Sequence, residues 1–299
     1  MSLTVNIMLG NLKPHLWEAN ADSVSFVKGA LEANCVTVML GIEHLNPDAI
    51  NLFFDRFYME PDFPVKLKAA GVKYGLVCTE AISPDGVWNY GGEQVEPETA
   101  AAFELAARNA EFVWCQLAVS VEACRAMNPN SAQIRYGFLE SMKSFDPVPA
   151  PDRDIDLLMC GMPSRRREKI MAALEERGHN TYYPGQPIPT YIRDALMARS
   201  RLNLSLQKSD RHEIVSVTRI CHSVINGVPL LLETAASDAD YAPYCLTTTG
   251  GTVLKDCQTH LAETDLEAWA QERYQQLADE LPMAKMTADL LEQTVYQKA

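Results

Sequence analysis

In residues 212–234, HEIVSVTRICHSVINGVPLLLET, apolar and polar positions separate with a helical period. Ile214, Val217, Cys221, Val224 and Ile225 share one face, while His212, Ser216 and Arg219 share another. The pattern predicts a helix that packs by its apolar face and leaves its polar stripe to meet a ligand. Asn226-Gly227 tolerates the positive φ that ends a helix, and VPLLLE then runs apolar without alternation, as a strand covered on both faces does. Glu233 therefore falls at the carboxyl end of a parallel strand, the end at which open α/β sheets build small-molecule sites.

The rest of the chain repeats this alternation. Strand-like runs at 4–9, 36–41, 72–80, 111–116 and 132–138 are separated by helical patterns, notably SVSFVKGALEAN, AAAFELAARNA and SVEACRAMNP. Residues 145–153, FDPVPAPDR, hold three prolines and suit a linker better than any regular element. The pattern then restarts with DIDLLMCG, RRREKIMAALEERG, HNTYY, YIRDALMARS, LNLSLQ and the segment above. This order predicts an α/β protein of two Rossmann-like, doubly wound parallel-sheet domains facing a cleft. The expected bounds are 1–148 for the first domain, 152–275 for the second and 276–299 for a terminal helix.

Composition narrows the function. With 26 Lys+Arg against 39 Asp+Glu the formal net charge is -13, which repels nucleic acid and anionic membrane alike. Residues 160–220 reverse that balance, with eleven basic residues against six acidic ones. A basic island in an acidic protein suits a small anionic ligand such as a diphosphate. No apolar run reaches the length of a membrane span, the first ten residues do not read as a signal peptide, and the eight cysteines form no CxxC pair. Those features lead to the expectation of a cytoplasmic protein with reduced core cysteines. GxSxG, HExxH, a Walker loop and GxGxxG after the first strand are all missing, which removes support for hydrolase, zinc-protease, NTPase and dinucleotide-oxidoreductase readings.

Candidate chemistry gathers at strand ends. After DIDLLMCG, Gly161 and Ser164 lead into a helix beginning Arg165, Arg166, Arg167, where free amides and guanidinium groups suit phosphate; an ordinary turn with exposed arginines explains the same letters. Glu213 stands three residues after Asp210 and so also fits a capping box, whereas Arg219 has no such local role. His222 reads as a ligand or as a histidine at the core edge. In the first half Asn11, His15, Glu43, His44 and Glu80 follow strand ends and offer groups for general-base work or for gripping a hydroxyl. Asp152, Asp154 and Asp156 resemble a DxD metal motif, but they precede a strand, at the end of the sheet away from the expected site, and no metal site is assigned.

Residues 154 to about 263 resemble the donor-binding domain of GT-B-type glycosyltransferases, in the family-1-like branch that includes spore-maturation-type proteins. The likeness rests on G-x-x-x-R-R at Gly161, Arg165 and Arg166, on ALMARSRLNLSLQ, on E-x5-R-x6-N-G-x5-E at Glu213, Arg219, Asn226, Gly227 and Glu233, and on TVLKDCQTHLAE. It implies that the second domain grips a nucleotide-diphosphate sugar while the first holds an unidentified acceptor, a glycan, protein or small molecule. It implies further that Arg165 and Arg219 neutralise the departing diphosphate and that Glu213 contacts sugar or ribose hydroxyls. The resulting candidates are His15, Glu80, Glu213 and Arg219 for catalysis, and Gly161, Arg165, Arg166, Ser205, His212, Ser216, His222 and Glu233 for donor binding, with neither metal nor cofactor. His222 stands where many relatives carry a carboxylate. A sugar-nucleotide epimerase or hydrolase of the same fold, or a catalytically silent binding protein, are the alternatives.

Overall fold

The structure is a computed structural model that describes residues 3–9, 14–42, 44–54, 62–83, 97–209, 214–234 and 240–296, with only the backbone of 14–16. By their contacts the residues form two units, one of Met1–Asn20, Val27–Tyr136 and Met283–Ala299, the other of Ala21–Phe26 and Gly137–Pro282.

The first unit is built on six parallel strands in the order β2-β1-β3-β4-β5-β6. They are β1 (Thr4–Met8), β2 (Thr37–Gly41), β3 (Ile50–Phe54), β4 (Tyr74–Cys78), β5 (Val113–Cys115) and β6 (Ser131–Gln133), connected through α1 (Pro14–Ala33), α2 (Phe63–Ala69), α3 (Pro97–Asn109) and α4 (Ser120–Met127). The apolar runs of β1, β4 and β5 are buried strands, with Ile7, Val77, Val113 and Trp114 enclosed, each such side chain contributing about 1.5–3 kcal/mol of transfer free energy, whereas the run 36–41 forms β2, which is largely exposed. AINLFF, which the sequence reading passes over, supplies β3. It lies beside β1, and the chain turns outward from that pair to both edges of the sheet.

The second unit has five parallel strands in the order β11-β10-β9-β7-β8. They are β7 (Ile155–Met159), β8 (Thr181–Tyr182), β9 (Ser200–Ser205), β10 (Leu230–Glu233) and β11 (Leu246–Thr248), with α5 (Arg165–Glu175), α6 (Thr190–Ala198), α7 (Val217–Ile225) and α8 (Val253–Glu263) between and after them. One core packs Leu157, Met159, Leu202, Leu204 and Leu231 against α5 and α8, and another packs Ile155, Leu158 and Cys160 against α6. From β7 the chain moves to β8 on one side and then to β9 on the other. The β7/β9 pair is therefore the topological switch point, where the carboxyl ends of the strands open a crevice.

The proline-rich stretch is fastened to this second unit. Val148 N–H donates to Ala198 O at 2.8 Å, Arg153 Nε to Val148 O at 2.7 Å, and Asn226 Oδ1 accepts from the Ser144 and Phe145 amides at 2.8 and 3.2 Å. Two more helices follow. α9 (Leu266–Glu280) stays with the second unit, and α10 (Met283–Leu291), with the π turn Glu292–Tyr296, joins the first. Trp114 Nε1 donates there to Thr294 Oγ1 at 3.0 Å, and Asn34 Nδ2 to Ala284 O at 2.8 Å.

Candidate functional site

The carboxyl ends of β7, β9 and β10 in the second unit bring together residues that lie 72 positions apart in sequence, from Gly161 to Glu233. Ser164 caps α5, accepting from Arg167 N–H at 3.3 Å. The three arginines that follow have separate fates. Arg165 is exposed. Arg166 closes a bidentate pair with Glu233 through Nη1 to Oε2 at 2.8 Å and Nη2 to Oε1, and its Nη1 also donates to Gln207 O at 3.2 Å. The Gln207 amide completes the grip on Glu233 Oε2 at 2.9 Å. Arg167 is buried, and among the described residues its guanidinium donates to carbonyls, Leu206 O at 3.0 and 2.5 Å and Met162 O at 2.7 Å. Burial first, then the neighbouring Arg219 guanidinium, bring Arg167 down to about 10.

Two glycines make this assembly sterically possible. Gly161 has φ +153, and a Cβ there would stand 3.0 Å from Arg219 Nη2 and 3.4 Å from Arg167 Nη1. A Cβ on Gly250, in the turn between β11 and α8, would stand 2.8 Å from Arg166 Nη2 and 3.0 Å from Glu233 Oε1. The backbone thus closes onto the guanidinium groups, and a side chain at either position would push them aside, with the positive φ of Gly161 disfavouring one there as well.

Arg219 sits in the first turn of α7, half-buried, with no hydrogen-bond or ion-pair partner among the described residues. Burial holds its guanidinium below the ordinary value, and the nearby Arg193 adds to that effect. A cation in the first turn of a helix also opposes the helix dipole, and α7 has no acidic residue there to offset it. Ser216 at the N-cap makes no side-chain cap bond and meets Thr218 Oγ1 at 3.3 Å instead. Two helix starts and two guanidinium groups therefore converge on Gly161, an arrangement that attracts an anion.

Behind Arg219, one turn further along α7, His222 is buried. Its Nε2 lies 2.9 Å from Asp194 Oδ1 and 3.0 Å from Arg193 Nη2. Arg193 also pairs with Asp22 at 2.6 Å, in the stretch of α1 that belongs to this unit. Burial by itself would raise the Asp194 carboxyl, but His222, Arg193 and Ser144 together hold it down to about 2.

The structure corrects one element of the sequence reading. α7 begins at Val217, so Ser216 is its N-cap and not part of a helical stripe. His212 and Glu213 lie outside the described residues, as do Asp210, Asn11 and Glu43. Ser205 is buried at the end of β9. In the first unit Glu80 is half-buried just past β4, its carbonyl accepting from Ser120 Oγ at 2.7 Å. His15 is in the first turn of α1, and its side chain is outside what is described. Asp154 and Asp156 are bound to Arg199 and Arg201 at the amino end of the sheet, at 2.8 and 3.0 Å. Arg193, Asp194 and Gly250, which no sequence motif marked, belong to the site's surroundings. Their only signal was position, a charged pair at the start of a helix and a Gly-Gly turn after a short strand.

No protein-family model matches the chain, and no curated protein does either. Solved structures do. An alpha,alpha-trehalose-phosphate synthase (UDP-forming) from Burkholderia vietnamiensis superposes with a TM-score of 0.58 at 12% identity, over 100% of this chain and 99% of that one. The chain has the GT-B fold. A UDP-N-acetylglucosamine 2-epimerase gives a TM-score of 0.56 at 10% identity over 100% and 98% of the two chains. The E. coli trehalose-6-phosphate protein bound with UDP-2-fluoro glucose gives 0.58 at 10% over 96% and 98%. At such identities the likeness establishes the fold alone.

Proposed function

We propose that the protein is a glycosyltransferase of the family-1-like GT-B branch, which takes a sugar from a nucleotide-diphosphate donor held by the second unit. The observation that carries this reading is Arg219. Its guanidinium has no hydrogen-bond or ion-pair partner among the described residues, stands at the start of a helix, and lies close to Gly161, where a Cβ would come within 3.0 Å of it. A diphosphate supplies a counter-charge to this guanidinium, and stabilising that charge as the leaving group departs is electrostatic catalysis. Solved neighbours of the same fold include one bound to a UDP-glucose analogue, which is consistent with such a donor.

In this reading Arg219 and the Gly161 turn contact the diphosphate, and Arg167 holds the turn in place. Arg165 is exposed, and we assign Arg166, Glu233, Ser205, Ser216 and His222 to donor binding as well. We assign Glu213 to the sugar or ribose hydroxyls and His212 to donor binding, on the sequence resemblance alone. We assign the acceptor to the first unit, with Glu80 and His15 as the candidate general bases. The arginines provide the charge neutralisation, so the reaction requires no metal and no further cofactor. The eight cysteines, all free and seven of them buried, fit a reducing compartment, and we place the reaction in the cytoplasm. No helix among the described residues is long and apolar enough to cross a membrane.

The test is a thermal-shift panel of nucleotides and nucleotide sugars, followed by turnover of the stabilising donor in the presence of a chelator. Donor at about a hundred times its dissociation constant adds roughly 2.7 kcal/mol to stability. If no nucleoside diphosphate or sugar derivative shifts the melting curve at millimolar concentration, the reading fails. Turnover of the donor without any acceptor would move the assignment to an epimerase or hydrolase.

A further inference from the structure

The terminal strand of the six-stranded sheet, β2, has an unusual outer edge. Thr37 N–H donates to Leu3 O at 3.0 Å, and Gly41 O accepts from Leu9 N–H at 2.7 Å, so positions 37, 39 and 41 turn their backbone groups to β1. Val38 and Leu40 turn theirs outward, and no described residue bonds to them. Met39, Leu40 and Ile42 are 46%, 52% and 55% exposed. From Val36 to Ile42 there is neither a charge nor a proline. Edge strands of monomeric proteins are normally protected by charge, proline or a bulge. Trp17, also largely exposed, donates from Nε1 to Leu9 O at 3.1 Å, next to the strand's carboxyl end, and extends the apolar surface there.

We propose that this edge is a homodimer interface, at which two copies of the chain pair their β2 strands antiparallel about a two-fold axis at Met39. The outward groups of Val38 and Leu40 are symmetric about that position. Val38 of one copy meets Leu40 of its partner, and the reverse, each pair exchanging both N–H···O bonds. Met39 meets its own counterpart as the closer, non-hydrogen-bonded pair, and the same patch serves both sides, as an isologous contact requires. Charge selects the occupant. A net charge of -13 repels anionic lipid and nucleic acid, and a basic protein would find no carboxylate on this strip. A second copy meets an uncharged strip with an uncharged strip. The remaining long-range repulsion between copies is screened by salt, so dimerisation strengthens as salt rises, whereas binding of a basic partner weakens.

Sedimentation velocity of the purified full chain across the micromolar range, at low and high salt, tests the proposal. The expected result is a dimer favoured by salt. In Met39→Lys like charges face each other across the axis, and in Leu40→Lys charge enters the paired edge, so each should raise the dimer dissociation constant by about tenfold or more. Hydrogen exchange on the unaltered protein gives a second readout that does not depend on the variants folding. The Val38 and Leu40 amides should be protected at high protein concentration and should exchange rapidly when dilute. A chain that remains monomeric throughout, a dimer indifferent to both folded variants, or Val38 and Leu40 amides that exchange rapidly within a dimer would each overturn the assignment.

Discussion

Replacing Arg219 with Met separates a ligand-binding arginine from a structural one, because the two roles predict opposite effects on stability. The guanidinium has no described partner, so its removal breaks no internal hydrogen bond, while the Met stem keeps much of the packing. A cation at a helix start costs about 0.3–1 kcal/mol, and the nearby Arg193 and Arg167 guanidinium groups add repulsion that the Asp22 carboxylate offsets in part. The ligand-free variant should therefore be as stable as the parent or more so, by up to about 1 kcal/mol, a gain of roughly 1–2 °C in melting temperature for a chain of this size. The affinity for a nucleoside diphosphate should fall by the worth of a charge-assisted hydrogen bond, about 1.5–3 kcal/mol, or roughly ten- to a hundred-and-fifty-fold in Kd. Calorimetric melting without ligand, paired with titration calorimetry of the nucleotide, reads both quantities on one preparation. A variant that melts several degrees lower and binds nucleotide as the parent does would refute the reasoning and make Arg219 a structural residue.

Three other substitutions probe the supports of the site. Arg166→Met leaves the Glu233 carboxylate buried with the Gln207 amide as its remaining described hydrogen bond, so urea unfolding should show a loss of about 3 kcal/mol or more, largely recovered when Glu233→Leu is added. Gly161→Ala places a Cβ 3.0 Å from Arg219 Nη2 at φ +153; nucleotide affinity should fall together with about 1 kcal/mol of stability, and unchanged affinity would show that the turn does not set the guanidinium position. Asp194 is held at about 2, below its ordinary 3.8. Its stabilising contribution is therefore complete above pH ~4 and lost as pH falls toward 2, so Asp194→Asn should show a flatter decline in urea midpoint over that window.

Much of the architecture was legible because buried parallel strands write continuous apolar runs. VPLLLE and DIDLLMCG announce β10 and β7, and Asn226 with Gly227 at φ +69 ends α7 where the sequence places the stop. β11 was not legible, since Leu-Thr-Thr is short and polar and its strand character comes from pairing with β10. The start of α7 was misplaced for a different reason. Ile214 and Val217 fit a helical period, but that period continues through an irregular stretch that the helix does not occupy, and Ser216 takes the N-cap position its side chain favours.

The arginines show where local sequence stops informing. Arg165, Arg166 and Arg167 follow one another in a single helical turn, and nothing in their order says which is available to a ligand. Their environments decide. Arg166 is neutralised by Glu233, Arg167 is engaged by the carbonyls of Leu206 and Met162, and Arg165 is in solvent. Arg193, from another helix, is balanced by Asp22 and Asp194. Among the described cations around the β7/β9 crevice, Arg219 alone is partly buried with no hydrogen-bonded oxygen partner. Partly burying a cation without a hydrogen-bonded anion costs free energy. A ligand that brings the anion offsets that cost, so the site is expected to favour a diphosphate over a neutral sugar, which would leave Arg219 uncompensated.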